Sequence, residues 1–374
     1  MIHGKIVPSN SFTWDEQADL AEFAWSARKL NRPLSGYLAG RERGGDAVIL
    51  LEDTWSKTFN VKHSIAVNSA TSGLLAAAFA SNLKEGDTFV CPAMTMSATA
   101  AAPCFTGAIP DFRDVSEIDF SIEWLTPVAN RPKAIFVTNL FGNPAKLHAI
   151  RRSADLGGVI MIEDNAQSPF AMEKGRYAGT IGHIGVFSLN IHKPLQCGEG
   201  GMICTDNDVL ALRMRAFINH GEHTTGQIGL NLRMPELCAV VALSQLQRGQ
   251  SLVNKRIEQA EAILDAIGFI PGLRGPMTRS DCKNVHYTIP FLIDRARSAF
   301  CQQLALDGVP ICEKYVAPLY HLPAFRPYTA HCPVAESLHE RQLFYIENCA
   351  WDFTKSQIRE IGAAFKRAAE TVKL

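Results

Sequence analysis

Between about residues 60 and 205, short apolar runs alternate with stretches of helical spacing, and this pattern constrains the fold more than any other feature. The runs are SIAVN (64–68), DTFVC (87–91), AIPDFR (108–113), AIFVT (134–138), GVIMIE (158–163), IGVFSL (184–189) and GMICT (201–205). Several are apolar at consecutive positions, which suits strands buried on both faces by flanking helices. The intervening pieces 71–83 and 145–156 are helical in composition and spacing. The expectation is an α/β fold on a mostly parallel sheet of about seven strands. Ligands in such sheets sit at the carboxyl ends of strands, so polar residues there are the first candidates for a site.

After residue 240 the texture changes. Residues 235–267 read as one long helix or two, starting at Pro235, followed by short strands in 285–293 and helices at 296–307 and 355–371. The expected division is a large domain over 1–245 and a smaller α+β domain over 246–374, which a chain of 374 residues accommodates. The 37 basic residues balance the 37 acidic ones, so no net attraction to nucleic acid or an anionic membrane follows. No basic helix-turn-helix segment suggests a DNA-binding regulator either. The alanine-rich stretch at 74–82 is too short to cross a bilayer and fits a buried helix. The N-terminus lacks the basic-then-apolar layout of a secretory signal. The 10 cysteines are scattered without a CxxC pair, so they read as reduced thiols, and the cytoplasm is the expected compartment.

Four segments carry chemistry. In VIMIEDNAQ (159–167) an apolar strand ends in Glu163-Asp164, placing a carboxylate at the ligand edge of the sheet. A buried Asp needs a partner, and the pyridinium nitrogen of pyridoxal phosphate is one, because Asp keeps that ring protonated and makes it an electron sink. A helix cap or a structural ion pair is the alternative. In GVFSLNIHKPLQCGEGG (185–201) a strand delivers Ser188, then Lys193 stands in a loop before GEGG. A lysine can join an aldehyde as a Schiff base, and its neutral amine can then move a proton; taken alone, a loop lysine is ordinarily solvated. In VNSATSGLLAAAF (67–79), Asn68, Ser69 and Thr71 lie between strand and helix, where free amides suit a phosphate or simply form a cap. In GLNLRMPE (229–236), Asn231 and Arg233 either fix the loop or face a ligand.

These stretches, with CPAMTMSAT and CPVAE, occur in an order that resembles the DegT/StrS-type sugar aminotransferases, a branch of the fold-type-I, aspartate aminotransferase-like pyridoxal-phosphate enzymes. The resemblance spreads over residues 35–340. It implies that Lys193 carries the cofactor and moves the proton, that Asp164 partners the pyridine nitrogen, and that Gln167 lies against the ring. It further implies that Ala70, Thr71 and Ser188 bind the phosphate, joined by Asn231 of the neighbouring subunit, and hence a homodimer with shared active sites. The implied reaction moves an amino group from L-glutamate to a keto-sugar, usually nucleotide-linked; free keto-sugars and cyclitols are also family substrates.

Two departures stand out. Met96 occupies the position where the family has an aromatic residue stacked on the ring, and AGRERGGD (39–46) is longer and more polar than usual, as a substrate loop or a solvated turn. Substrate contacts are expected from 35–46, from the Met96 region and from 313–328, where Tyr315, Tyr320 and His321 are candidates. A sugar 3-dehydratase of the same family would have His in place of the lysine; the count from FS to GEGG puts Lys193, not His192, at that position. A non-catalytic regulator on the same fold would have no reason to keep Lys193, Asp164, Gln167 and Ser188 together. His220 and His223, three apart around a glycine, read as surface or interface histidines rather than metal ligands, so no metal is expected.

Overall fold

Strand residues that alternate between two separate apolar cores organise the larger part of the molecule. The computed structural model describes residues 2, 7–8, 43–124, 131–221 and 228–374. Its main sheet has seven strands: β1 (His63–Val67), β2 (Thr88–Pro92), β3 (Ile109–Arg113), β4 (Ala134–Thr138), β5 (Ile160–Asp164), β6 (Ile184–Ser188) and β7 (Gly201–Thr205), in the order β1-β7-β6-β5-β4-β2-β3. Pairing is parallel from β6 across to β3, and β7 runs antiparallel to both β6 and β1. This is the mostly parallel α/β sheet expected from the strand runs, with strand limits displaced by a residue or two.

Side chains alternate across each strand. Ile65, Phe89, Phe136, Ile162, Val186 and Ile203 face one core, shared with helices α2 (Ala70–Ala80), α3 (Ala98–Cys104) and α5 (Asp208–Ile218). Ala66, Val90, Ile135, Met161, Phe187 and Met202 face the other, shared with α1 (Asp46–Phe59), α4 (Leu147–Gly157) and α6 (Glu236–Gln247). Each large side chain buried this way contributes about 1.5–3 kcal/mol. Both faces are therefore dry, and the strand ends are the places left for polar chemistry.

The stretch 235–267 resolves into two helices, α6 and α7 (Gly249–Ile267). Near its start α7 places Val253 in the second core, while Ala260, Ile263 and Ile267 lie in a third. That third core is closed by α8 (Arg297–Leu306), α9 (Lys355–Val372) and a four-stranded sheet. The strands are β8 (Leu273–Arg274), β9 (Ile289–Ile293), β10 (Ile311–Glu313) and β11 (Leu343–Ile346), in the order β8-β9-β11-β10. Among the described residues, no helix is long and apolar enough to cross a membrane. All ten cysteines are free thiols.

One of the contacts between the third-core elements and the main sheet runs through the turn after β4. Phe141 and Gly142 both have positive φ, of 61° and 95°. A Cβ on Gly142 would stand 2.6 Å from the amide nitrogen of Tyr287, so only glycine admits this approach. The Gly142 carbonyl accepts from the Val285 amide at 3.0 Å, and Tyr287 is thereby held over the ends of the main strands.

Candidate active site

A cavity of about 600 Å³ opens at the carboxyl ends of the parallel strands. Most of the residues singled out from the sequence converge on it: Ala70, Thr71, Met96, Asp164, Gln167, Ser188 and Lys193 all line it.

The neighbours Glu163 and Asp164 have different fates because successive side chains of a strand point to opposite faces. Glu163 is saturated: the amides of Gly179 (2.6 Å), Ile181 (2.8 Å) and Gly182, with the Asn139 side-chain amide (3.2 Å), all donate to it. Its role is to tie β5 to the following loop. Asp164 turns to the cavity and accepts from the Thr99 hydroxyl at 2.6 Å and the Ala166 amide at 3.2 Å. Burial pushes the Asp164 carboxyl up, opposed by the Thr99 and Ala166 donors and by the charge of Lys193. Behind Thr99, the hydroxyl of Thr95 lies 3.0 Å from that of Thr99 and 2.9 Å from that of Thr138, giving a buried hydroxyl chain that ends on Asp164.

Lys193 sits in the loop between β6 and β7. Desolvation lowers its pKa, and the nearby Asp164 carboxylate opposes that. Its Nζ lies 4.8 Å from the centre of the Tyr287 ring. A lysine in this setting has a larger neutral fraction than one in water, which favours nucleophilic and proton-moving chemistry. His192, its neighbour, is exposed.

Opposite, the Ser69 hydroxyl caps α2 by accepting from the Ser72 amide at 3.1 Å. The first amides of a helix have no intrahelical acceptor, and those of Ala70 and Thr71 belong to residues on the cavity wall. A Cβ on Gly201 would come within 2.7 Å of the Ala70 nitrogen, so the GEGG glycines let β7 start directly against this helix end. Ser188, at the end of β6, adds a hydroxyl.

Gln167 is fixed from two sides: its Oε1 accepts from the Phe141 amide at 2.7 Å and its Nε2 donates to the Tyr315 hydroxyl at 3.1 Å. Tyr315 thus stands behind Gln167, its phenol pushed by burial up to about 12, and is not on the cavity wall. Tyr320 and His321 are likewise not brought to the wall; the Tyr320 hydroxyl donates to Glu336 at 2.5 Å and His321 approaches the same carboxylate at 3.7 Å. Met96 is half exposed, and its sulfur accepts from the Ala98 amide at 3.1 Å. Asn231 is exposed, away from the cavity of its own chain, on a segment stitched to β1 by the Asn68 amide donating to the Leu232 carbonyl at 2.9 Å. The Arg233 guanidinium donates to Asn219 at 2.7 Å. Residues 39–42 of the 39–46 stretch and His223 of the histidine pair lie outside the described residues.

Sequence reasoning missed Thr99, Tyr287, Glu347 and Cys349. Thr99 lies three residues after Met96 in the same quoted segment, so helical spacing offered a signal. The other three line the cavity from beyond residue 285, and no local pattern marks them.

The donor set suits one cofactor. A desolvated amine can hold an aldehyde, helix-end amides with a serine hydroxyl can hold a phosphate, and a buried carboxylate can hold a protonated ring nitrogen. All of these face one cavity large enough for the cofactor and a substrate together. The site and the sheet define a pyridoxal-phosphate-dependent enzyme of fold type I.

The sequence model of the DegT/DnrJ/EryC1/StrS aminotransferase family matches residues 38–366, and the chain belongs to this family. It is 30% identical over 292 residues to UDP-N-acetyl-3-dehydro-alpha-D-glucosamine 3-aminotransferase of Acidithiobacillus ferrooxidans, covering 76% of this chain and 78% of that one. It is 30% identical over 231 residues to GDP-perosamine synthase of Escherichia coli O157:H7, covering 58% of this chain and 62% of that one. The structure of an aminotransferase from Psychrobacter cryohalolentis superposes with a TM-score of 0.85 at 26% identity, covering 99% of this chain and 100% of that one.

Proposed function

We propose that this enzyme transfers the amino group of L-glutamate to the keto group of a sugar, with the sugar carried on a nucleotide. The observation that carries the reading is the meeting of Lys193 and Asp164 in one cavity, across from the open end of α2. Relatives that act on nucleotide-linked sugars support the choice of acceptor. A free keto-sugar or cyclitol is the alternative acceptor. Lys193 and His192 both line the cavity, and the count from FS to GEGG, which puts Lys193 at the cofactor-bearing position, supports amino transfer over dehydration.

In this reading Ala70, Thr71 and Ser188 hold the phosphate, joined by Asn231 of the partner subunit in a homodimer. Asp164 holds the ring nitrogen as a cation, and Gln167, oriented by Phe141 and Tyr315, fixes the ring hydroxyl side. Met96 covers one ring face. Pyridoxal phosphate, when bound, supplies the electron sink that accepts the pair released as a substrate C–H bond breaks. The Lys193 amine would take that proton from the substrate carbon, and the same amine would give a proton back to carbon when the acceptor is bound. Burial lowers its pKa and so enlarges the neutral fraction over that of a solvated lysine.

The test has two halves. L-glutamate should convert the cofactor-loaded enzyme to its amino form, seen as loss of the visible absorption of bound pyridoxal phosphate. A nucleotide-linked keto-sugar should restore that absorption. An enzyme unmoved by any amino donor would end the proposal.

A further inference from the structure

The segments just before β9 and just after β11 line the cavity, and they present the exposed carboxylate of Glu347 to it. The antiparallel register of β9 and β11 ends at Ile289 opposite Ile346, and Thr288 and Glu347 are the next residues on the two segments. Just beyond the strands the Cys349 amide donates to the Tyr287 carbonyl at 3.2 Å, one residue out of that register. Tyr287, Thr288, Glu347 and Cys349 all line the cavity. Burial pushes the Tyr287 phenol upward, and Cys349, Tyr315 and Glu347 add to it, while the Tyr287 ring itself stands 4.8 Å from the Lys193 Nζ.

Glu347 is exposed at the cavity rim, and among the described residues its solvated carboxylate has no hydrogen-bond or ion-pair partner. The cations at this side of the cavity are committed elsewhere: Lys255 and Arg256 both pair with Asp352. An ionised carboxylate only accepts hydrogen bonds, so its ligand must bring donors. Two adjacent ring hydroxyls satisfy its two oxygens at once, and hydrogen bonds to a charged acceptor are the strong ones. L-glutamate has no neighbouring hydroxyls to offer this position, so the donor does not depend on it.

Resting on the reading above, we propose that Glu347 recognises the acceptor, taking hydrogen bonds from neighbouring hydroxyls of an uncharged keto-sugar ring while the Tyr287 phenol flanks the reacting carbon. The site then favours polyhydroxylated neutral rings, and it refuses acceptors that carry a carboxylate or lack hydroxyls on that side.

The test compares wild type, Glu347→Gln and Glu347→Leu, each loaded with pyridoxal phosphate and matched for thermal melting and visible absorption. The acceptor probes are UDP-N-acetyl-3-dehydro-α-D-glucosamine, a thymidine-diphosphate 4-ketohexose and a keto-inositol. The glutamate half-reaction should stay within about twofold in both variants. For the best wild-type acceptor, KM should rise roughly tenfold or more in Glu347→Leu with a limiting rate changed far less, and Glu347→Gln should fall between. The dissociation constant of the same acceptor for the aldehyde form of the enzyme, measured by calorimetry, should rise in parallel. An unchanged acceptor KM and dissociation constant in both variants, or an equal loss in the glutamate step, overturns the assignment of Glu347 while leaving the sugar aminotransferase reading intact. A wild-type enzyme that converts with glutamate but accepts none of the probes overturns both.

Discussion

Replacing Thr99 with valine removes one hydroxyl, nearly preserves the shape and tests how Asp164 is kept ionised. Thr99 is fully buried and donates to Asp164 at 2.6 Å, one of two donors that oppose the burial of that carboxylate. A hydrogen bond to a charged group contributes about 1.5–3 kcal/mol, and with Asp164 equally buried little of this is recovered from water. Asp164 must be ionised to hold a ring nitrogen as a cation. If the whole contribution appears in the barrier, the glutamate half-reaction slows roughly tenfold to a hundredfold. The sign of the pH effect follows from the same bond. Thr99 favours the ionised form, so its loss raises the Asp164 pKa, and the acidic limb of kcat/KM moves to higher pH. Rapid-mixing absorbance measurements of the loaded enzyme against L-glutamate, from pH 5 to 9, record both. Thr99→Ser retains the hydroxyl and should restore the wild-type limb, which a packing defect alone does not explain. A valine variant with an unmoved acidic limb and a rate within twofold of wild type would refute the argument that this hydroxyl tunes Asp164.

Three further outcomes are expected. Lys193→Ala should lose the visible absorption of covalently held pyridoxal phosphate and all amino transfer, while still binding the cofactor through its phosphate; retained turnover would contradict its role. Tyr315→Phe removes the hydroxyl that accepts from Gln167, so the dissociation constant for pyridoxal phosphate should rise roughly fivefold, in line with the ~1 kcal/mol of a neutral hydrogen bond, as read by fluorescence titration. His286 is buried, and burial lowers its pKa to about 4. A lowered folded-state value means that its neutral form is favoured: the contribution is complete above the unfolded value near 6.5 and lost as pH falls through about 4. That span corresponds to about 3 kcal/mol. His286→Asn, a residue that tolerates the positive φ found there, should therefore lose less unfolding free energy than wild type between pH 7 and 4; parallel urea curves across that range would count against the idea.

Much of the site was legible because its parts are carried on local signals. The apolar runs ending in Asp164 and Ser188 mark strand ends, the serine and threonine before the alanine-rich helix mark a cap, and GEGG marks a close approach. Each of these depends on residues within a few positions of one another, where propensity and spacing act. Tyr320 and His321 show the limit: they are polar and stand near the expected region, yet Glu336 engages both away from the cavity wall. Tyr315 reaches the site only through Gln167.

The alternation of apolar runs and helical stretches determined, by sequence alone, an α/β sheet buried on both faces and the strand ends at which Lys193 and Asp164 would stand. Periodicity encodes which faces are dry, and that is a local property of the chain. Which of the two neighbouring carboxylates faces the ligand, and which wall closes over Lys193, were decided only by tertiary structure. Glu163 is claimed by backbone amides sixteen to nineteen residues on. Tyr287 and Glu347 arrive from about a hundred residues or more beyond the lysine, through a glycine turn and a strand register whose partners no window of sequence contains together.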